Sequence, residues 1–260
     1  MSTLLQSYQT IQLKTMRGAL EIRIDRPEAD NSINDTLLTE LKLAIAGAEQ
    51  DPAIKVIVLC GNATHFCTGM DFQAVAANGR ENPFIDDSDS YYEVLKMLTM
   101  SSCIVISKIE GKVNAGGIGL VAASDIVVAG HHATFSLSEA LFGLIPACVM
   151  PFLIRRIGHQ KAQWLALTTQ TISVARAHEL GLVDEYAEQV NDLVRRNLLR
   201  ISKLENETIG TLKNYMTKLW IIDSQTQRIA VDQISDLMKS PAVQRNIKNF
   251  VEKGKFPWDK

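Results

Sequence analysis

The chain has 260 residues and a mass of 28.8 kDa, 46% hydrophobic and 22% charged, with a net charge of −2 and a pI of about 6.2. That length can bury the core of one large domain, and the near-neutral charge, with no Lys/Arg block, argues against nucleic acid or an anionic membrane surface as partner. No run reaches the roughly 18 apolar residues of a membrane span, and residues 1–7 lack a cationic-then-apolar leader, so a cytoplasmic setting is expected. Cys60, Cys67, Cys103 and Cys148 stand in or beside apolar runs without metal or redox spacing, which reads as free buried thiols.

In chain order, residues 10–15 and 19–25 alternate with period two around Arg17-Gly18, predicting an antiparallel hairpin with one wet face, ended by Arg26-Pro27. Residues 35–49 have apolar side chains at helical spacing, with Asp35 placed to cap them. Apolar runs near 55–60, 103–109 and 125–129 alternate with helical stretches near 35–50, 91–99 and 116–124. This rhythm predicts parallel strands joined by crossover helices. Residues 77–90 are polar and turn-forming, predicting a mobile surface loop able to cover a substrate. Beyond residue 150 the pattern is almost wholly helical. The expected organisation is an α/β core over 1–200 and a helical extension over 201–260.

Two glycine-bearing turns follow β-type runs: His65-Phe-Cys-Thr-Gly-Met-Asp71, and Gly111-Lys-Val-Asn-Ala-Gly-Gly-Ile-Gly119. Glycine removes the Cβ that keeps a ligand off the backbone, and a helix starting just past such a turn leaves N–H groups unpaired. Two amides meeting on one carbonyl oxygen would stabilise the charge that forms as a thioester becomes an enolate, each donor contributing about 10²–10³ in rate. The sequence thus proposes one anion site built from two distant halves.

Arg26-Pro-Glu-Ala-Asp-Asn-Ser-Ile33, Phe66-Cys-Thr-Gly-Met-Asp-Phe72, residues 111–125, Phe135-Ser-Leu-Ser-Glu139 and Leu153-Ile-Arg-Arg-Ile-Gly158 together resemble the crotonase (enoyl-CoA hydratase/isomerase) superfamily, from about residue 10 onward. The resemblance implies a spiral of ββα units and a C-terminal helical region that builds a homotrimer or a hexamer. It implies an oxyanion hole from the N–H groups of Met70 and Gly116, no metal or other cofactor, and a substrate carried on the phosphopantetheine of an acyl carrier protein or on coenzyme A. Of the two glutamates that flank the substrate in typical hydratases it leaves one, Glu139; the other position is Gly119. Within the superfamily, residues 111–117, residues 136–148 and Phe256-Pro-Trp258 look like the dehydratases of polyketide β-branching. The implied reaction is dehydration of a carrier-protein 3-hydroxy-3-methylglutaryl thioester to the 3-methylglutaconyl thioester. The decarboxylase of that product and a noncatalytic carrier-protein-binding scaffold are the alternatives.

The resemblance makes Glu139 the base that takes the C2 proton and returns a proton to the C3 hydroxyl, against the alternative of a solvated loop residue. Its apolar neighbours Phe135, Leu137, Leu141 and Phe142 predict a raised pKa. Asp71 is either a second acid or the N-cap of a helix over 72–77. Gly119 either makes room for a tertiary C3 carbon or serves helix packing. Asn114 binds substrate or satisfies backbone, and Ala29 offers backbone to the thioester arm. Lys112, Arg80, His65 and His131 are the cations available for a distal carboxylate, Lys253 and Lys255 those for a phosphate, and each is otherwise simply solvated. Arg155 and Arg156 read as packing or subunit contacts.

Overall fold

Alternating side chains set the first pairing. β1 (Ile11–Met16) runs antiparallel to β2 (Ala19–Ile24), with Ile11 opposite Ile24, and Leu20, Ile22 and Ile24 are buried. A computed structural model describes residues 7–16, 18–73, 84–220 and 223–259, with the side chains of 84–87 outside that set. β2 continues parallel to β3 (Val56–Cys60), β3 to β5 (Ile104–Ile109), β5 to β7 (Ile126–Gly130), and β7 to the edge strand β10 (Glu185–Ala187). A second sheet holds β4 (His65–Cys67), β6 (Lys112–Asn114), β8 (Thr134–Ser136) and β9 (Ile172–Ser173).

The two sheets are wound by one repeating unit. A strand in the large sheet is followed by a short strand in the small one and then a helix: β3, β4 and α2 (Phe84–Met100), then β5, β6 and α3 (Gly116–Ala123). β7 and β8 repeat the pair and lead into a 3-10 turn at Glu139–Phe142. β4, β6 and β8 are parallel, with Lys112 opposite Thr134 and Asn114 opposite Ser136. Their carboxyl ends therefore share one edge, where parallel sheets present their loops to ligands.

β3 is buried throughout, as expected of a parallel strand covered on both faces. On one face pack Leu37, Leu41 and Ile45 of α1 (Asp35–Gln50), Leu95 of α2 and Ile118 of α3. On the other, Val58, Ile106 and Val128 meet Leu193 and Val194 of a helix spanning Val190–Ile201. Arg155 and Arg156 donate to the carbonyls of Ala122 and of Leu182 and Ser124, so both serve packing within the chain. All four cysteines are free and buried. Among the described residues no helix is long and apolar enough to cross a membrane.

Four local expectations change. Asn34, not Asp35, caps α1, its side chain accepting from the Leu37 N–H at 2.9 Å. Residues 84–90 belong to α2 rather than a loop, while 77–83 lie outside the described residues, as does Arg17 of the hairpin turn. The region past 150 adds two short strands, β9 and β10. Side-chain period leaves residues 65–67, 112–114 and 134–136 unassigned; they form the short strands β4, β6 and β8, the second strands of the ββα units that the resemblance implies.

From residue 206 the chain folds back on the core. Here α4 to α6 span Met150–Ile157, His159–Thr168 and Val174–Leu180, α7 spans Val190–Ile201, and α8 to α10 span Asn206–Lys218, Ser224–Met238 and Pro241–Lys253. Lys213 of α8 is buried, its Nζ meeting Asp125 Oδ2 at 2.5 Å and the Cys103 carbonyl at 2.9 Å. Burial pulls its ammonium below the ordinary value, and Asp125 opposes that pull. Removing one partner of such a pair strands the other. Lys213→Ala is expected to lower the unfolding free energy by about 3 kcal/mol, read from the urea midpoint.

Candidate active site

The two glycine turns meet at the carboxyl ends of β4 and β6. Met70 bridges Ile33 in parallel: the Ile33 N–H donates to the Gly69 carbonyl at 2.7 Å, and the Asp71 N–H donates to the Ile33 carbonyl at 3.0 Å. Successive amides of an extended segment point to opposite sides, so the Met70 N–H faces away from Ile33. In the second turn Ala115 takes φ +48° and ψ −121°, a left-handed conformation costing on the order of 1–3 kcal/mol. Its N–H donates to the Ser136 carbonyl at 3.0 Å, and its carbonyl accepts from Ile118 at 2.9 Å, which holds the strained residue at the start of α3. The Gly116 N–H is one of the first-turn amides with no helical partner.

Gly69 lets these turns touch. A Cβ there would stand 2.6 Å from the Ala115 Cβ and 3.2 Å from the Gly116 nitrogen, and its φ of +91° also suits glycine. Arg26 ties the first turn down, donating to the Ser32 carbonyl and to Asp71 Oδ2, the latter at 2.9 Å. The Asp71 carboxylate is thus paired with a buried arginine and is absent from the cavity lining, contrary to its expected place beside the substrate. Its N-cap alternative concerns a helix of which only Phe72 and Gln73 are described.

Beside the joined turns lies a cavity of about 460 Å³, within the usual range for a small ligand, with Met70, Gly116 and Glu139 in its wall. Glu139 opens the 3-10 turn after β8. The residue is half-buried, but Oε2 is sealed from solvent with no hydrogen-bond partner. Burial pushes its pKa up to about 7, against the backbone N–H groups of Glu139 and Ser138, which favour the charged form. An acid so placed can hold or release a proton near neutral pH.

Asn114 lies between two serines. Ser136 Oγ donates to Asn114 Oδ1 at 2.8 Å, and Asn114 Nδ2 donates to Ser138 Oγ at 2.9 Å. That direction leaves the Ser138 proton to be donated onward into the cavity. Asn114 therefore serves hydroxyls rather than backbone. Lys112 lies at the rim with an exposed side chain and is the one cation lining the cavity among the described residues. Ala29 does not line it: its N–H and carbonyl are used within its turn, by Arg26 and Ser32, and its neighbour Asp30 takes the place. His65 pairs with Asp30 at 3.5 Å, His131 meets the Tyr186 ring edge-on, and Arg80 lies outside the described residues.

Gly119 does not widen the cavity. The space its Cβ would enter is taken by the Tyr91 hydroxyl, 2.0 Å from that point, and Tyr91 itself lines the cavity. The C-terminal segment supplies another wall. Phe142 packs edge-on against Phe72 (5.0 Å) and Phe250 (5.1 Å), Phe250 meets Phe256 (5.1 Å), and Phe256 stacks on Trp258 (4.9 Å). Tyr91, Ser136, Ser138, Phe250 and Phe256 also line the cavity, none with a role assigned from the sequence; Ser136, Ser138 and Phe256 fall in stretches that carry the resemblance, whereas Tyr91 and Phe250 carry no signal of their own.

The enoyl-CoA hydratase/isomerase family profile matches residues 14–260. The chain belongs to this family. It is similar to the Bacillaene synthase dehydratase PksH of Bacillus subtilis (strain 168), 40% identical over 258 residues that cover 98% of each chain. It is also similar to the hydroxycinnamoyl-CoA hydratase-lyase of Pseudomonas fluorescens, 29% identical over 209 residues and 76% of each. A crystal structure described as a polyketide biosynthesis enoyl-CoA hydratase, PksH from Bacillus subtilis, superposes with a TM-score of 0.90 at 39% identity, covering 96% of this chain and 100% of that one. The fold is therefore that of the crotonase superfamily.

In this enoyl-CoA hydratase family member the buried acid also leaves a mark on stability. The unfolded carboxyl titrates near 4.5 and the folded one at about 7, so between these values the folded chain keeps a proton that the unfolded chain has lost. Stability owed to this group is greatest below 4.5 and falls as pH rises to about 7. Glu139→Gln is expected to stabilise the protein at pH 8 by up to about 3 kcal/mol, the difference fading in acid, measured by urea unfolding across pH.

Proposed function

We propose that this chain is a cofactor-free hydro-lyase that dehydrates a 3-hydroxy-3-methylglutaryl thioester, held on an acyl carrier protein, to the 3-methylglutaconyl thioester. The observation that carries the reading is one sealed, unpartnered carboxyl oxygen, Glu139 Oε2, in the same cavity wall as the free-facing Met70 amide and the Gly116 amide. The similarity to the dehydratase PksH supports the reaction class.

In this reading the thioester oxygen sits between the two amides, which stabilise the enolate as it forms. Glu139 takes the C2 proton. The C3–O bond then breaks while that proton passes to the oxygen, and water leaves with Glu139 restored to its carboxylate. Ser138, primed by Asn114, donates to the substrate, and Lys112 at the rim faces its anionic end. The apolar cavity suits the methyl branch. The stripe Leu212, Tyr215 and Met216 on α8, with Leu219 just past its end, each more than half exposed, is read as the subunit contact of a homotrimer. Sedimentation at micromolar concentration should give a trimer, and Leu212→Glu with Met216→Glu a monomer.

Mixing the enzyme with 3-hydroxy-3-methylglutaryl carrier protein should give a mass loss of one water. Glu139→Gln should slow this about 10²–10⁴-fold, as expected for removal of a proton-transfer group. For the wild type kcat/KM should rise with pH through about 7 as Glu139 ionises. Undiminished turnover in the variant rejects the base assignment. Carbon dioxide release from the methylglutaconyl thioester, without dehydration, rejects the reaction.

A further inference from the structure

The Tyr91 hydroxyl has no task in the steps above. Tyr91 reaches in from α2, and its Oη donates to the Gly116 carbonyl at 2.5 Å. A Cβ on Gly119 would stand 2.0 Å from this oxygen and one on Gly116 3.4 Å, so Oη sits against the first turn of α3, between the two glycines. Burial first, then the side chains of Cys67, Cys148 and Glu139, holds the phenol protonated, with its pKa well above the ordinary 10. Tyr91 and Glu139 line the same cavity. With its own proton committed to the Gly116 carbonyl, Tyr91 offers the cavity a lone pair.

Elimination makes two demands on a departing C3 hydroxyl. A lone pair must face the acid that will protonate it, and the remaining O–H must be held so that the oxygen does not turn away. Glu139 meets the first demand. Asp71 meets neither, being paired with Arg26. Asp30, the other carboxylate lining the cavity among the described residues, sits with an exposed side chain beside His65.

Building on the dehydratase reading, we propose that Tyr91 Oη accepts the hydrogen of the substrate's C3 hydroxyl and so presents that oxygen's lone pair to Glu139. Tyr91 neither gains nor loses a proton in the reaction: the C2 proton moves through Glu139 to the oxygen, and water departs. A neutral acceptor also adds no charge beside the anionic branch of a glutaryl chain, where a carboxylate would repel it in a medium of low dielectric.

The test uses the full-length enzyme and its Tyr91→Phe variant, with two ligands on pantetheine: the 3-hydroxy-3-methylglutaryl thioester and the 3-methylglutaryl thioester, which lacks the hydroxyl. Thermal unfolding first establishes that the variant is folded. The variant should lose kcat by about tenfold or more, and should bind the hydroxylated ligand about tenfold less well while binding the deoxy ligand as before. Equal weakening of both ligands overturns the proposal, since it marks a purely structural support of the Gly116 peptide. Unchanged kcat and unchanged ligand preference overturn it too. If the wild type binds both ligands but releases no water, the dehydratase reading falls, while the preference for the hydroxylated ligand still decides the role of Tyr91.

Discussion

The close approach of Gly69 to the Ala115–Gly116 peptide is the constraint on which the site depends. Two segments some 45 residues apart in sequence can bring backbone amides together only if no side chain intervenes, and a Cβ at Gly69 would collide with that of Ala115. Each turn is then aimed separately. The first is fixed by the Ile33 bridge and the Arg26 clamp, the second by the strained backbone of Ala115 and its bond to Ser136. Parallel pairing of β4 with β6 and of β6 with β8 supplies the alignment, and puts Glu139 just past the end of the third strand.

Much of this was readable in the sequence wherever the signal was local. The hairpin, the parallel strands β3, β5 and β7 and the first helix follow from side-chain period, and the glycine turns announce themselves by composition. β4, β6 and β8 are too short, at three residues each, to display alternation, so side-chain period does not reveal the small sheet that aligns the site, and only the resemblance to ββα proteins implies it. Asp71 reads as a free acid because its partner, Arg26, lies 45 residues earlier and joins it only in three dimensions. Tyr91 is separated by 25 residues from the carbonyl it binds, and nothing in the local pattern of α2 distinguishes it from a packing aromatic. Gly119 shows the same limit: its missing side chain can be read as empty space or as space given to another residue, and only the fold decides for the tyrosine.

The site is also where the molecule tolerates its least favourable local features. An unpartnered carboxyl oxygen and a left-handed alanine each cost on the order of 1–3 kcal/mol, and they stand within one cavity wall. The sheet buried on both faces can hold them because its apolar strands provide a rigid frame on either side. Preorganisation of this kind means that little rearrangement is needed when a ligand enters.

The aromatic chain from Phe72 through Phe142, Phe250 and Phe256 to Trp258 joins the pocket to the segment that follows α10. Phe250 and Phe256 stand more than a hundred residues beyond the turns they face, so the chamber gains this wall only when the segment after residue 241 docks on the core.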